Sequence, residues 1–131
     1  GLAAMRNYTK SEAERLNELG ARLRESFDQA FAQAGIKAHM TGSGSLSNMQ
    51  FTDQPIHDAR DSMAATIAAG HIPRLLHLGM IRHGVISATR LMYCTSTAMT
   101  EKEIDFAVTA LNESLQELRP YIERERPQLL Q

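Results

Sequence analysis

Apolar residues recur along the first third of the chain at Ala13, Leu16, Leu19, Leu23, Phe27, Ala30, Phe31 and Ala34, with charged side chains between them. Steps of three and four mark one stripe of a helix. Thr9-Lys10-Ser11-Glu12 ahead of the stripe has the form of a capping box, and Gly35 behind it suits a left-handed stop. The pattern predicts one long amphipathic helix over Thr9–Ala34. From Ile36 the period shortens. Ala38 and Met40, then Leu46, Met49 and Phe51, flank Gly42-Ser43-Gly44-Ser45, which reads as two strands around a glycine-rich turn or bulge. Thr52-Asp53-Gln54-Pro55 is loop chemistry. Asp58–Ala69 is helical by composition, and Gly70-His71-Ile72-Pro73 interrupts it with Pro73 in the first turn of a further helix that Gly84 ends. Val85-Ile86 and Leu91–Thr95 read as short strands around a Ser87–Arg90 loop. Thr100-Glu101-Lys102-Glu103 is a second capping box, followed by Ile104, Val108, Leu111, Leu115, Leu118 and Ile122 at helical spacing. Pro120 lacks an amide hydrogen and predicts an end or kink there. Glu123–Gln131 reads as a charged, flexible tail.

Helix, strand pair, helices, strand pair, helix is the resulting order. Four short strands in close pairs do not make a wound parallel sheet. The economical solution is α+β: a small, mostly antiparallel sheet flanked by long amphipathic helices. The 131 residues fit one domain, 1–131, able to bury roughly two-thirds of its unfolded surface.

Charge then narrows the function. Lys and Arg number 14 against 15 Asp and Glu, so no basic surplus is left to neutralise phosphates and no nucleic-acid partner is expected. No apolar run approaches the roughly 20 residues of a membrane span, so no membrane partner is expected either. A single cysteine, Cys94, excludes an internal disulfide framework and fits a cytoplasmic location. The opening Gly1-Leu2-Ala3-Ala4-Met5-Arg6 is apolar and uncapped, leaving Leu2 and Met5 without a partner. It reads either as a frayed or trimmed end or as a start inside a longer protein.

Candidate chemistry is sparse. His71, His77 and His83 lie six apart, on drifting helix faces, so no shared metal site is expected. Gly42-Ser43-Gly44-Ser45 lacks the following helix of a phosphate cradle and is better read as a bend in a strand. Cys94, in an apolar strand segment, reads as a small buried residue. Ser87, Thr89, Thr95, Ser96 and Thr97 supply hydroxyls without a paired base. Arg90 stands out, a guanidinium in a loop between two apolar segments. Its fork of donors could bind a carboxylate, and a solvated loop arginine is the competing reading.

Taken in order, several segments resemble a known family. Gly1-Leu2-Ala3-Ala4-Met5 resembles the run after the Asn-Pro step of class III pyridoxal-phosphate aminotransferases, in particular glutamate-1-semialdehyde aminomutases. Gly42-Ser43-Gly44-Ser45 with Phe51-Thr52 resembles their Gly-Ser-Met…Phe-Phe/Thr strand. His77–Val85 resembles their Met-Leu-x-x-Gly-Val/Ile helix end, and Thr95–Ile104 their Ser-x-Ala-His-Thr-x-x-Asp-Ile turn. The resemblance implies the C-terminal small domain of a fold-type I enzyme, a fragment whose partners are a missing large domain and a second subunit of a homodimer. It implies pyridoxal 5'-phosphate in the parent and none in this fragment, because the Schiff-base lysine, the pyridine-nitrogen aspartate and the phosphate-binding threonine lie upstream in the family. Lys10, Lys37 and Lys102 stand in no cofactor-lysine motif. No catalytic, cofactor-binding or metal-binding residue is therefore expected in this chain.

There are departures. Met99 stands where the family usually has histidine, and the Ser87–Arg90 loop is shorter than in the aminomutases and lacks their acidic residue. Arg90 precedes Ser96 by six residues, the spacing of a carboxylate-binding arginine in the β-amino-acid aminotransferase branch. The resemblance thus implies a domain that closes over the cofactor cleft and helps bind a small amino or keto acid, with transaminase and aminomutase both open. The competing class is a standalone, non-enzymatic interaction or self-association module that uses its apolar helix faces, while a fragment would expose the surfaces that faced its large domain, in a chain with 7 methionines, and associate through them.

Overall fold

The structure, a computed structural model, describes the backbone of residues 1–131 and every side chain but that of Ala4. A short helix, α1 (Leu2–Asn7), leads into α2 (Lys10–Ala34). The Thr9 hydroxyl accepts the Glu12 amide at 3.3 Å, so the cap forms. Its reciprocal arm does not: the Glu12 carboxylate turns instead to Arg15, 3.0 Å away. Leu16, Leu19, Leu23, Phe27, Ala30 and Phe31 are buried along the expected stripe, and Gly35 closes the helix at φ 64°.

Strands β1 (His39–Ser43) and β2 (Leu46–Gln50) form a hairpin with Ser43 opposite Leu46. Gly44 takes φ 55° at the first position of the two-residue turn and Ser45 has no positive φ, the type II′ requirement that makes glycine the natural choice there. The third strand, β3 (Met92–Cys94), pairs antiparallel with β2, giving the order β1-β2-β3. Two helices separate β2 from β3: α3 (Ala59–Ala69), capped by Asp58, and α4 (Ile72–Arg82), with Pro73 in its first turn. The last helix, α5 (Glu101–Glu125), opens with a complete capping box in which Glu103 Oε2 accepts the Thr100 amide at 2.7 Å.

Met40, Met49 and Tyr93 point from the sheet into the core, where α2 packs on α5 and α5 on α4. Aromatic edges lock the join: Phe27 meets Tyr93 at 5.5 Å between centroids and Phe31 meets Phe51 at 6.3 Å, both edge to face. Helix and hairpin touch most closely at Gly20, where a Cβ would overlap the Gly44 carbonyl oxygen. The α+β architecture expected from the sequence is the architecture observed.

Four expectations are corrected. The sheet has three strands, because Val85 and Ile86 do not pair; the Gly84 and Val85 amides instead close α4 by donating to the Ile81 and Met80 carbonyls at 3.0 and 2.8 Å. Helix α5 runs through Pro120 to Glu125. Pro120 is exposed, as is Gln116, whose carbonyl the missing amide leaves free, while buried Leu118 and Ile122 hold the helix on either side. The terminal segment, expected as a loose tail, is docked. Its 3-10 turn Pro127–Leu129 buries Leu129, the Leu129 carbonyl accepts from the Lys37 amide at 2.7 Å, and the Gln131 amide donates to Gly35. Cys94 is exposed rather than buried, since strand alternation gives the core position to Tyr93.

Candidate functional site

Arg90 occupies the turn between α4 and β3. The Leu91 amide donates to the Ala88 carbonyl at 2.8 Å, and the Ala88 amide donates to Met92 at 3.1 Å. Among the described residues Leu91 is the one non-glycine residue with positive φ, at 57°, and it is 1% exposed. A buried leucine held in that region costs about 1–2 kcal/mol, which its anchoring in the core must offset. The loop is pinned on its other side by Ser87, whose Oγ lies 3.2 Å from His77 Nδ1. Tyr93 beneath it has its phenol pushed up to about 12, chiefly by burial.

The turn borders a cleft of about 500 Å³. Asn48 to Phe51 of β2 supply one wall and Ser62, Met63 and Thr66 of α3 another. Gly70 and the start of α4, with Pro73 and Arg74, line it as well. Gln50 is buried there, its carbonyl accepting the Ser62 hydroxyl at 3.0 Å. Asn48 Oδ1 is buried without a hydrogen-bond partner. Among the described residues no acidic side chain lines this cleft. Arg90 and Arg74 are both exposed, and among the described residues neither has a side-chain hydrogen bond or an ion pair, as holds also for Arg6 and Arg60, whereas Arg15, Arg22, Arg24, Arg82 and Arg119 are engaged. Sequence reading picked out Arg90 by its loop and missed Arg74, which looks like an ordinary charge in a helix's first turn. Only the fold, by bringing the corner after α3 against the Arg90 turn, gives the two a common cleft. A wider groove of about 820 Å³ beside α1 offers Glu12 as its one charge, already paired with Arg15.

The other singled-out residues lie elsewhere. Gly42 to Ser45 build the hairpin end. His83 sits between Glu113 at 2.9 Å and Glu117 at 3.3 Å, joining α4 to α5, while His77 meets Ser87. The Thr95–Thr100 turn is clamped from α2: Arg15 donates to the Thr97 carbonyl at 2.7 Å and to the Met99 carbonyl at 2.9 Å. Met99 packs against the core. Ser96 is exposed, and its carbonyl accepts the Met99 amide.

The three-stranded antiparallel sheet with its helices matches the fold of one part of solved pyridoxal-phosphate transaminases. The homologues and structural neighbours of this chain are class III enzymes of that kind together with glutamate-1-semialdehyde aminomutase. A glutamate-1-semialdehyde 2,1-aminomutase of Akkermansia muciniphila is 33% identical over 122 residues, which is 90% of this chain and 28% of that protein. A beta-phenylalanine transaminase of Variovorax paradoxus is 28% identical over 104 residues, 79% of this chain and 23% of the other. A solved transaminase with pyridoxal phosphate bound superposes with a TM-score of 0.74 at 28% identity, over 92% of this chain and 27% of its own. The chain thus spans about a quarter of the length of these relatives. No protein-family model matches it.

The residues present do not fit that cofactor. Covalent attachment needs a lysine in the cleft. Lys10 lies 3.7 Å from Glu14 and Lys37 lies 3.7 Å from Asp53, both on the surface, and Lys102 is exposed at the start of α5. None of the three lines the cleft that holds Arg90.

Proposed function

We propose that the chain is the C-terminal small domain of a pyridoxal-phosphate-dependent aminotransferase or aminomutase, residues 1–131 forming one unit. It closes over the cofactor cleft formed with a large domain and helps to bind a small amino or keto acid by its carboxylate. The single observation that carries the carboxylate role is the unpaired Arg90 guanidinium on a pinned turn, at a cleft without acidic side chains. Such a fork holds a carboxylate bidentately and fixes the orientation of the bound acid. Arg90 is a positioning and binding group; the chain itself performs no bond-breaking step.

Contact with further protein is supported by the apolar side chains left in solvent. Leu46 and Met92 stand on the uncovered face of the sheet, 52% and 45% exposed, and Leu2 and Met5 on α1 are 64% and 75% exposed. These faces suit a large domain and the second subunit of a homodimer in the cytoplasm. The same faces would serve the competing self-association module. Expression from the complete reading frame that encodes this chain separates the two. The fragment reading expects that protein to keep a visible chromophore after incubation with pyridoxal phosphate and dialysis, while the 131-residue chain stays colourless. A colourless complete protein would reject it.

A further inference from the structure

The turn that carries Arg90 is closed at one carbonyl. The Ala88 oxygen accepts the Leu91 amide at 2.8 Å, with Thr89 and Arg90 as the central residues of the turn. The same oxygen accepts the Ser87 hydroxyl at 3.1 Å. A serine hydroxyl has a single hydrogen, and here it is spent on that carbonyl. Toward His77 Nδ1, 3.2 Å away, Ser87 Oγ therefore offers a lone pair, and His77 is the donor through Nδ1–H. A directed chain results. His77 donates to Ser87, Ser87 donates to the Ala88 carbonyl, and that carbonyl holds the amide that closes the turn. Hydrogen bonds linked in this order polarise and strengthen one another.

The two ends of the chain differ in firmness. His77 stands on α4, whose Ile72, Leu76 and Met80 are fully buried, and it is the one side chain of that helix bonded to the turn. Ala88, Thr89 and Arg90 are exposed, and among the described residues neither the Thr89 nor the Arg90 side chain is bonded to another element. Leu91 holds its strained φ of 57°, which favours relaxation of the turn once support is withdrawn. We propose that His77 is a positioning residue for Arg90. Through Ser87 it fixes the turn from which the guanidinium is presented, and it touches no substrate itself. This rests on the reading of Arg90 as a carboxylate-binding residue and names what sets its place.

The test uses the protein expressed from the complete reading frame. The probes are alanine, β-alanine and γ-aminobutyrate, with Kd from calorimetry and, where there is turnover, KM and kcat. One neutral hydrogen bond is at stake, so H77A and S87A should weaken the best-bound probe about three- to tenfold, with kcat little changed. The amide of asparagine places a donor where imidazole has Nδ1, and that of glutamine places one where imidazole has Nε2. H77N should therefore restore wild-type affinity and H77Q should not. In an R90A background the loss caused by H77A should vanish, because no guanidinium is left to place. Wild-type affinity in H77A and S87A, with R90A still weakened, would overturn the positioning role and leave the carboxylate reading standing. An equal loss from H77A with and without Arg90 would overturn it too, as would rescue by H77Q but not by H77N. No binding of any probe, or an R90A variant that binds as wild type does, would overturn both readings. Thermal unfolding reports whether each variant keeps its fold, and S87A with the H77N–H77Q contrast carries the same test if H77A does not.

Discussion

Gly20 lies in the middle of α2, where helix propensity alone says alanine is better by about 1 kcal/mol. The structure predicts the opposite. Gly20 is buried, and a Cβ there would overlap the Gly44 carbonyl oxygen at the tip of the β1–β2 hairpin. That oxygen also accepts a hydrogen bond from Arg24 at 3.0 Å, and Arg24 reaches Leu46 and Ser47 from the same position. For G20A to fold, the hairpin must move off the helix. Overpacking of this kind costs about 1–3 kcal/mol. A charged hydrogen bond weakened by the shift costs about 1.5–3 kcal/mol more if it is lost outright. Against a propensity gain of about 1 kcal/mol, overpacking alone leaves G20A destabilised by up to about 2 kcal/mol, and outright loss of the Arg24 bond raises this to about 1.5–5 kcal/mol. Urea unfolding followed by circular dichroism reads this as a midpoint lowered by about 1 M, at a slope ordinary for a small domain. The neighbouring exposed position supplies the control: A21G should destabilise by about 1 kcal/mol through propensity alone. A G20A midpoint equal to or above wild type would refute the close helix–hairpin contact.

Four further outcomes follow from particular contacts. P120A should stabilise α5 by about 1–3 kcal/mol, since it restores an amide hydrogen at an exposed helical position, and a lower melting temperature would count against a continuous helix. L111A should cost about 2–5 kcal/mol, because Leu111 is fully buried where α5 meets the core; a loss below 1 kcal/mol would contradict that placement. Removal of residues 126–131 should destabilise measurably in the same urea assay, because it strips buried Leu129 and the bonds to Lys37 and Gly35; an unchanged midpoint would mean the segment is not docked. The Tyr93 phenol, at about 12 when folded against 10.0 ordinarily, ionises in the unfolded chain first. The stability it contributes is present below pH 10 and is lost as pH rises toward 12, by about 2–3 kcal/mol. Y93F should remove that alkaline loss, and identical pH profiles for the two proteins would show the phenol is not buried.

The long helices were legible because their stripes are read by burial itself. Leu16 to Phe31 and Ile104 to Ile122 lie inside wherever the helix packs, so periodicity suffices. The hairpin was legible because Gly44 meets a backbone requirement. What failed was decided by partners distant in sequence. Pro120 breaks helices in isolation, yet here Leu118 and Ile122 dock against the core and outweigh it. Val85 has a strand's side chain, but its amide is claimed by the end of α4. The last nine residues look polar and loose, yet Leu129 is buried and its carbonyl is held by the Lys37 amide. Of the site, Arg90 was visible from its odd position between apolar segments. Arg74 was not, because nothing local distinguishes a cation that faces a cleft from one that faces water.

The carboxylate role proposed for Arg90 is tested most directly by the KM for an amino acid in the protein expressed from the complete reading frame, wild type against R90A. Loss of a charged, bidentate contact should raise KM about ten- to a hundredfold. R90K, with a point charge in place of the fork, should fall between the two. A KM for R90A indistinguishable from wild type would contradict the carboxylate role and return Arg90 to the solvent.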